Sequence, residues 1–270
     1  MIEHAGASFA AVAARFREVA AERHLPAVAA ETYLSLVRPA LKLTKDGPGP
    51  MVAVIGGNLP VPEGIALSER LFVAAVDCST LPPGATGLPL PAEGHLFFFA
   101  DPWPFSMVLP DAVQYIPPGT PLGPEEPVDP DHEEINVRSY LHGRHRAWSW
   151  PHNAAHLWSQ PPLADLPAEE LREAWGSAED LPGVFGDFQL GGYPVIFQND
   201  PFEPAQGTSC CEEEMPLPPA EEGDEWVLLA TWNAREDSPH MPDGLFHWII
   251  LRSDLAALRF DRVYTFAELA

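Results

Sequence analysis

Arginine, histidine and tryptophan side chains that could bind a ligand are concentrated in residues 135–164. This segment reads INVRSYLHGRHRAWSWPHNAAHLWSQPPLA and contains no acidic residue, in a chain with 39 acidic and 15 basic residues. Arginine guanidinium groups bind anions through paired hydrogen bonds, and tryptophan faces stack on cations. The candidate ligand-binding residues of this segment are Arg144, His145, Arg146, Trp148 and His152.

Two histidine pairs in the same segment are candidate zinc ligands. His142 and His145 are three residues apart, and His152 and His156 are four apart, so the second pair could share one face of a helical turn. The spacing matches no standard zinc finger, and the segment supplies no cysteine or carboxylate ligand. We therefore predict no metal and interpret the segment as an aromatic-rich connector, with a binding patch for an anionic group as the alternative.

A second candidate site is the acidic stretch at residues 203–225, which reads EPAQGTSCCEEEMPLPPAEEGDE and contains no basic residue. Its proline and glycine content predicts an exposed loop. The net charge of the chain, −24, repels nucleic acid and anionic membranes and attracts basic proteins. Glu212, Glu213 and Glu214 are therefore candidate contacts for a basic partner. The alternatives are a solvated insertion and a calcium-binding cluster, although no EF-hand pattern is present.

Familiar catalytic patterns are absent from the sequence. It has no GxSxG, Walker-type, GxGxxG or HExxH motif, so we assign no catalytic residue and predict no cofactor. The three cysteines, Cys78, Cys210 and Cys211, form neither a CxxC motif nor an even disulfide framework, which favours a reducing compartment. The N-terminus lacks the features of a signal peptide, and the apolar runs are only strand-sized. We expect a cytoplasmic protein.

The elements that must position these residues change in character near residue 40. Two amphipathic helices are predicted within residues 6–38, the first capped by Ser8 and the second begun by Pro26. After Pro39, short β-rich runs alternate with Pro and Gly, which predicts antiparallel sheet, including a strand at 193–197. Further helices are predicted at 167–175, with Asp165 as cap, and at 253–260, capped by Ser253 or Asp254.

Several phrases of the sequence occur twice in the same order. AEGHLFFFAD (92–101) resembles PDGLFHWIILRSD (242–254), GGNLPVP (56–62) resembles GGYPVIF (191–197), and FVAAVD (72–77) resembles LLATWN (228–233). Runs such as LFFF and FHWII lack polar alternation and predict strands buried on both faces. We predict a single domain over 1–270 with an α+β fold. Its antiparallel-β-rich body consists of two similar repeats, about 40–137 and 165–264, joined by a connector at 138–164, with the N-terminal helices packed on it.

These phrases, with RPALKLT (38–44), WVLLATWN (226–233) and DGLFHWIILRSDLAALRFDRVY (243–264), resemble the YwqG-like family, also called domain of unknown function 1963. The resemblance spans about residues 38–264. It implies a mixed α/β fold rich in antiparallel strands and built from two similar halves, with no established activity. The sequence departs from the family where EGIALSER replaces the usual Trp-Pro, and where Ala75 and Thr231 replace glutamines common in the two central strands.

The function predicted from these observations is a non-enzymatic cytoplasmic interaction protein that binds or neutralises a basic protein, as immunity proteins do. The alternative is a small-molecule-binding protein or hydrolase with a site between the two halves near residues 138–156.

Overall fold

The computed structural model describes residues 8–45, 51–100, 106–126, 139–149, 163–178, 187–196, 200–202, 220–234 and 244–268. The fold is α+β, as predicted, and all strand pairing is antiparallel. The helices are α1 (Phe9–Glu22), α2 (Ala27–Leu36), α3 (Ala168–Ala178) and α4 (Arg252–Ala256). The strands are β1 (Arg38–Thr44), β2 (Ala53–Ile55), β3 (Leu59–Pro62), β4 (Leu71–Asp77), β5 (His95–Ala100), β6 (Ser106–Val108), β7 (Val113–Ile116), β8 (Leu122–Glu126), β9 (Ser139–Ser149), β10 (Phe188–Gly191), β11 (Trp226–Asn233), β12 (Leu245–Leu251) and β13 (Tyr264–Glu268).

Helices α1, α2 and α3 pack together around aromatic side chains. The predicted start of α1 is confirmed, because the Ser8 hydroxyl accepts a hydrogen bond from the backbone N–H of Ala11. The Phe16 ring stacks on Tyr33 with centroids 5.0 Å apart and meets Trp175 edge-on at 5.5 Å. These helices bury their apolar faces in a cluster of their own, separate from the main core of the sheet.

The largest sheet has eleven strands in the order β6-β13-β12-β11-β10-β1-β9-β2-β4-β5-β7, and β3 pairs with β8 in a separate two-stranded sheet. Strands β1 and β9 lie at its centre. We call β2, β4, β5 and β7 the first half of the sheet, and β10, β11, β12 and β13 the second half. Moving outward from the central pair, the strands are β2, β4, β5 and β7 on one side and β10, β11, β12 and β13 on the other.

The central pairing of each half has the same register and the same irregularity. In the first half β4 pairs with β5 with a shift between Phe72 and Ala74, and in the second β11 pairs with β12 with a shift between Leu228 and Ala230. The neighbouring pairings also correspond: Ala53↔Val76 with Phe188↔Trp232, Ala75↔Phe97 with Thr231↔His247, and His95↔Ile116 with Leu245↔Glu268. The paired residues of these strands therefore have corresponding registers in the two halves.

Paired glycines end the first strand of each half. Gly56 and Gly57 follow β2 with φ of 61° and 75°, and Gly191 and Gly192 at the end of β10 have φ of 67° and 74°. Because side chains disfavour this conformation, glycine sets the end of the strand. The predicted strand at 193–197 is therefore wrong: the strand ends at Gly191, and residues 193–196 lie outside any strand.

Two helix caps were also predicted incorrectly. The Pro167 carbonyl accepts a helical hydrogen bond from the backbone N–H of Leu171 at 3.0 Å, so Pro167 rather than the predicted Asp165 takes the N-cap position of α3. Helix α4 starts after Leu251 without a side-chain cap. Ser253 instead donates its hydroxyl hydrogen to Asp224 at 2.6 Å, and Asp254 is buried and paired with Arg259 and Arg262. At α4, tertiary contacts take the polar groups that the local pattern assigned to capping.

One face of each half contributes to a shared core, which we call the inner face. Phe98 of β5 meets Trp248 of β12 edge-on with ring centroids 5.1 Å apart. The Trp248 indole N–H donates to the carbonyl of Phe99 at 2.9 Å, which directly links the two halves. The opposite face of each half is the outer face. The prediction that LFFF and FHWII are buried on both faces is confirmed, since residues 96–100 and 245–250 are all buried.

Candidate functional site

Four of the predicted ligand-binding residues lie on the central strand β9. In its register with β1, His145 pairs with Lys42, Arg146 with Leu41, and Trp148 with Pro39. Arg144 lies in the same strand, where the pairing with β1 is irregular. Residues 139–149 of the predicted connector thus form a strand that pairs with both β1 and β2.

The remaining predicted residues are His152, Glu212, Glu213 and Glu214. They lie outside the described residues, as do Cys210 and Cys211. The predictions of a ligand-binding patch at His152 and of an acidic docking loop therefore stay predictions.

A row of buried polar side chains crosses the outer face of the second half. Gln189, Thr231 and His247 lie opposite one another on β10, β11 and β12, with exposed fractions of 6%, 5% and 0%. Glu268 of β13 is 4% exposed and lies opposite Leu245, one row further along. Polar groups at this depth cost folding free energy unless they are hydrogen-bonded, so each requires a partner.

Hydrogen bonds hold most of this row in place. The Gln189 side-chain N–H groups donate to the carbonyls of Gly191 and Tyr193, both at 2.9 Å, so Gln189 fixes the turn at the paired glycines. Thr231 Oγ1 and His247 Nδ1 share a hydrogen bond of 2.9 Å. His247 Nε2 lies 3.7 Å from Glu268 Oε1, which is beyond normal hydrogen-bond length, and the imidazole stacks on Phe266 with centroids 6.1 Å apart.

The equivalent row of the first half is apolar. The registers place Val54 at the position of Gln189, Ala75 at that of Thr231, Phe97 at that of His247, and Ile116 at that of Glu268. Phe97 and Ile116 belong to an outer-face cluster with Phe72 and Phe99, against which Ile65 and Leu67 pack. The polar row is therefore not a requirement of this backbone.

A cluster of charged side chains lies where the second half contacts β1 and the loop that follows β4. Glu225 accepts hydrogen bonds from Arg252 at 2.7 Å and from Arg38 at 2.8 Å, and Arg252 also donates to the carbonyl of Gly87. Burial favours a higher pKa for Glu225, but the Arg252 hydrogen bond and the charge of Arg38 lower the pKa overall. The Arg38 guanidinium also lies over the Tyr193 ring. We call the ion pairs of Glu225 with Arg38 and Arg252 the clasp, and we assign it a structural role.

Cys78 is the cysteine within the described part of the chain, and its thiol is buried. Burial, with the charge of Asp77, raises the pKa of Cys78 to about 12. The thiol is therefore protonated at neutral pH and is a poor nucleophile. Among the described residues, no group of three or more His, Cys, Asp or Glu side chains is arranged to hold a metal ion, and no helix could cross a membrane.

Sequence reasoning missed the polar row because FHWII and LLATWN read as buried strands. A residue-by-residue comparison of the repeated phrases contains the signal, since it aligns His247 with Phe97 and Thr231 with Ala75. Glu268 and Gln189 lie outside the repeated core phrases, and only the strand pairing adds them to the row.

The fold is that of an α+β protein whose antiparallel sheet has two similarly paired halves, one with an apolar and one with a polar outer face. The sequence matches the family described as Domain of unknown function (DUF1963) over residues 58–268. Because this match covers more than half of the chain, the chain belongs to that family, and the resemblance noted from its motifs is confirmed. A comparison with curated proteins finds no match.

Proposed function

We propose that this protein is a non-enzymatic cytoplasmic interaction protein that binds a basic protein partner. The observation that carries the proposal is the net charge of −24 on a chain whose described arginines are largely paired with its own carboxylates. A protein with this charge attracts cationic surfaces over a distance and repels nucleic acid. Binding and neutralising a basic protein, as an immunity protein does, is the function that this property serves most directly.

Several arginines already pair with carboxylates of the same chain. Arg17 pairs with Glu31 at 2.6 Å, Arg23 with Glu173 at 2.7 Å, and Arg70 with Asp111 at 2.9 Å. Each such pair is locally neutral, so these arginines do not offset the remaining acidic residues. The charge that a partner meets is therefore carried by unbalanced carboxylates, of which the sequence supplies a dense group within 203–225, apart from Glu225, which is paired with Arg38 and Arg252.

The test is a salt-dependent capture followed by kinetics. The tagged full-length protein retains partners from a native lysate at low salt, and mass spectrometry identifies those released at high salt. Association rates with the purified basic partner should then fall steeply with ionic strength, because screening shortens the reach of charges to about 8 Å at physiological salt. Partners that are not basic, or association rates independent of salt, would contradict the proposal.

A matched pair of variants separates the acidic loop from net charge. Changing Glu212, Glu213 and Glu214 to Gln should slow association with the captured partner. The control changes the exposed Glu18, Glu22 and Glu63 to Gln, which alters the net charge equally but at other places. If both variants slow association equally, the loop has no special role. If neither does, docking through carboxylates is excluded.

A second candidate function is small-molecule binding near residues 138–156. It is favoured by the position of β9, where Arg144, His145 and Arg146 lie on one of the two central strands between the halves. The test is a screen of anionic metabolites by thermal shift, repeated with Arg144→Gln/Arg146→Gln. Stabilisation of the native protein that the double variant loses would support this function, and no stabilisation by any anion would reject it.

We also propose that the two halves arose by internal duplication. The equivalent pairings, the shared irregularity near Ala74 and Ala230, and the paired glycines support this origin. The test is a crystal structure of the protein, in which one rotation should superpose residues 53–57, 71–77 and 94–100 on 188–192, 227–233 and 244–250. Neighbouring strands that require different rotations would reject the duplication.

A further inference from the structure

Two buried polar atoms on the outer face of the second half have no hydrogen-bond partner within the described part of the chain. They are His247 Nε2, in a fully buried side chain, and Asn233 Oδ1, in a side chain that is 8% exposed. Asn233 pairs with Leu245, two residues before His247, so both side chains lie on the same face in neighbouring rows. Unsatisfied groups of this kind require an explanation, such as an ion or a water molecule.

A buried carboxylate adjoins the first of these atoms. Glu268 pairs with Leu245 from the other side, and its Oε1 lies 3.7 Å from His247 Nε2. This distance is long for a direct hydrogen bond but suits two atoms bound to one ion, because metal–ligand distances of about 2.0–2.2 Å allow separations of up to about 4 Å. The hydrogen bond between Thr231 and Nδ1 fixes the imidazole ring with Nε2 facing Glu268.

The first half shows that the same strand pairing forms without these polar residues. Its equivalent positions carry Ala75, Phe97 and Ile116 in the same backbone register. A polar face that this strand pairing does not require, and on which two buried atoms have no partner among the described residues, is best explained by an occupant. Imidazole nitrogen with carboxylate and amide oxygens is a donor set that suits divalent first-row transition metals.

We propose that the outer face of the second half binds a divalent transition-metal ion through His247 Nε2 and the Glu268 carboxylate, with Asn233 in the row next to His247. This site is independent of the proposed binding of a basic protein. It also replaces the expectation of a metal-free protein, which was based on the histidine pairs at 142–156 rather than on the second half of the sheet.

The experiment uses the full-length chain after chelator treatment, titrated separately with Zn²⁺ and Mn²⁺ by calorimetry. We expect one ion per chain for at least one of the two metals. At a free metal concentration of about 100 times Kd, the melting temperature should rise by about 5–10 °C. His247→Gln and Glu268→Gln should each weaken binding by at least about tenfold. His95→Gln, which removes a half-buried histidine of the first half, should leave binding unchanged.

A second variant keeps the test decisive if these substitutions disturb folding. Thr231→Ala/His247→Phe reproduces the Ala75–Phe97 pair of the first half, and it should fold without binding the ion. Absence of stoichiometric binding by the native protein would overturn the proposal and favour a buried water at this position. Equally tight binding by the folded double variant would overturn it as well, because it would place the ion elsewhere.

Discussion

The two outer faces of the sheet contrast more than any other pair of regions in this protein. In the first half, Phe97 and Ile116 pack in an apolar cluster that Ile65 and Leu67 cover. In the second half, the same backbone positions carry His247 and Glu268, both buried. Equivalent strand pairing thus supports opposite side-chain chemistry, because backbone hydrogen bonds fix the frame and side chains decide what each face can bind.

The largest effect is expected when polarity is introduced into the apolar face. Phe97→His should destabilise the protein by about 3 kcal/mol, because it removes packing and buries a polar ring without a prepared partner. The reverse exchange, Thr231→Ala/His247→Phe, should change stability by less than about 1 kcal/mol. Urea unfolding measures both. If the two exchanges lowered the free energy of unfolding by similar amounts, the apolar side chains of the first half would not be accepted at the equivalent positions of the second half.

A smaller effect is expected at the contact between the inner faces. Trp248→Phe removes the hydrogen bond to the Phe99 carbonyl and leaves space beside Phe98, which should cost about 2 kcal/mol. Trp226→Phe is the matched control, since Trp226 is only half-buried at the start of β11. If Trp226→Phe lowers the free energy of unfolding as much as Trp248→Phe, the contact between the two halves does not contribute more to stability than a half-buried tryptophan elsewhere.

The clasp at Glu225 should contribute less, because its side chain is 43% exposed. Glu225→Gln should cost about 1 kcal/mol at neutral pH after allowance for solvent screening. The pKa of Glu225 is lower in the folded protein than its ordinary value of 4.5, so its stabilisation is present above pH 4.5 and is lost as pH falls through the folded pKa. Thermal melts of both proteins from pH 7 to pH 3 should therefore converge at low pH. A constant difference would contradict this account.

The smallest effect is expected at Cys78, because the equivalent position of the second half is occupied by alanine. Cys78 follows β4 and Ala234 follows β11, and their backbone N–H groups donate to the Gly94 and Gly244 carbonyls respectively. Cys78→Ala should therefore cost no more than about 1 kcal/mol. Thiol labelling of a Cys210→Ser/Cys211→Ser variant should be slow in the native state, because Cys78 is buried with a pKa of about 12. Rapid labelling would contradict its burial.

The sequence alone determined the fold class, the N-terminal helices and the strands buried on both faces. These features depend on local signals: Ser8 caps a helix, Pro26 precedes the next, and runs such as LFFF are too apolar for any exposed face. It also contained the repeated phrases whose strands pair in equivalent registers. Local signals were insufficient at Gly191 and Gly192, where the end of β10 depends on positive φ rather than on the β-forming residues that follow.

Only the tertiary structure decided which residues lie together. It placed Arg144, His145 and Arg146 in a central strand, and it brought Gln189, Thr231, His247 and Glu268 into adjoining rows from four strands that are separated in sequence. Strand pairing is a long-range property, and a single sequence does not specify which strands become neighbours or their register. A buried histidine inside an apolar run therefore looks like core until its cross-strand partners, Thr231 and the nearby Glu268, are known.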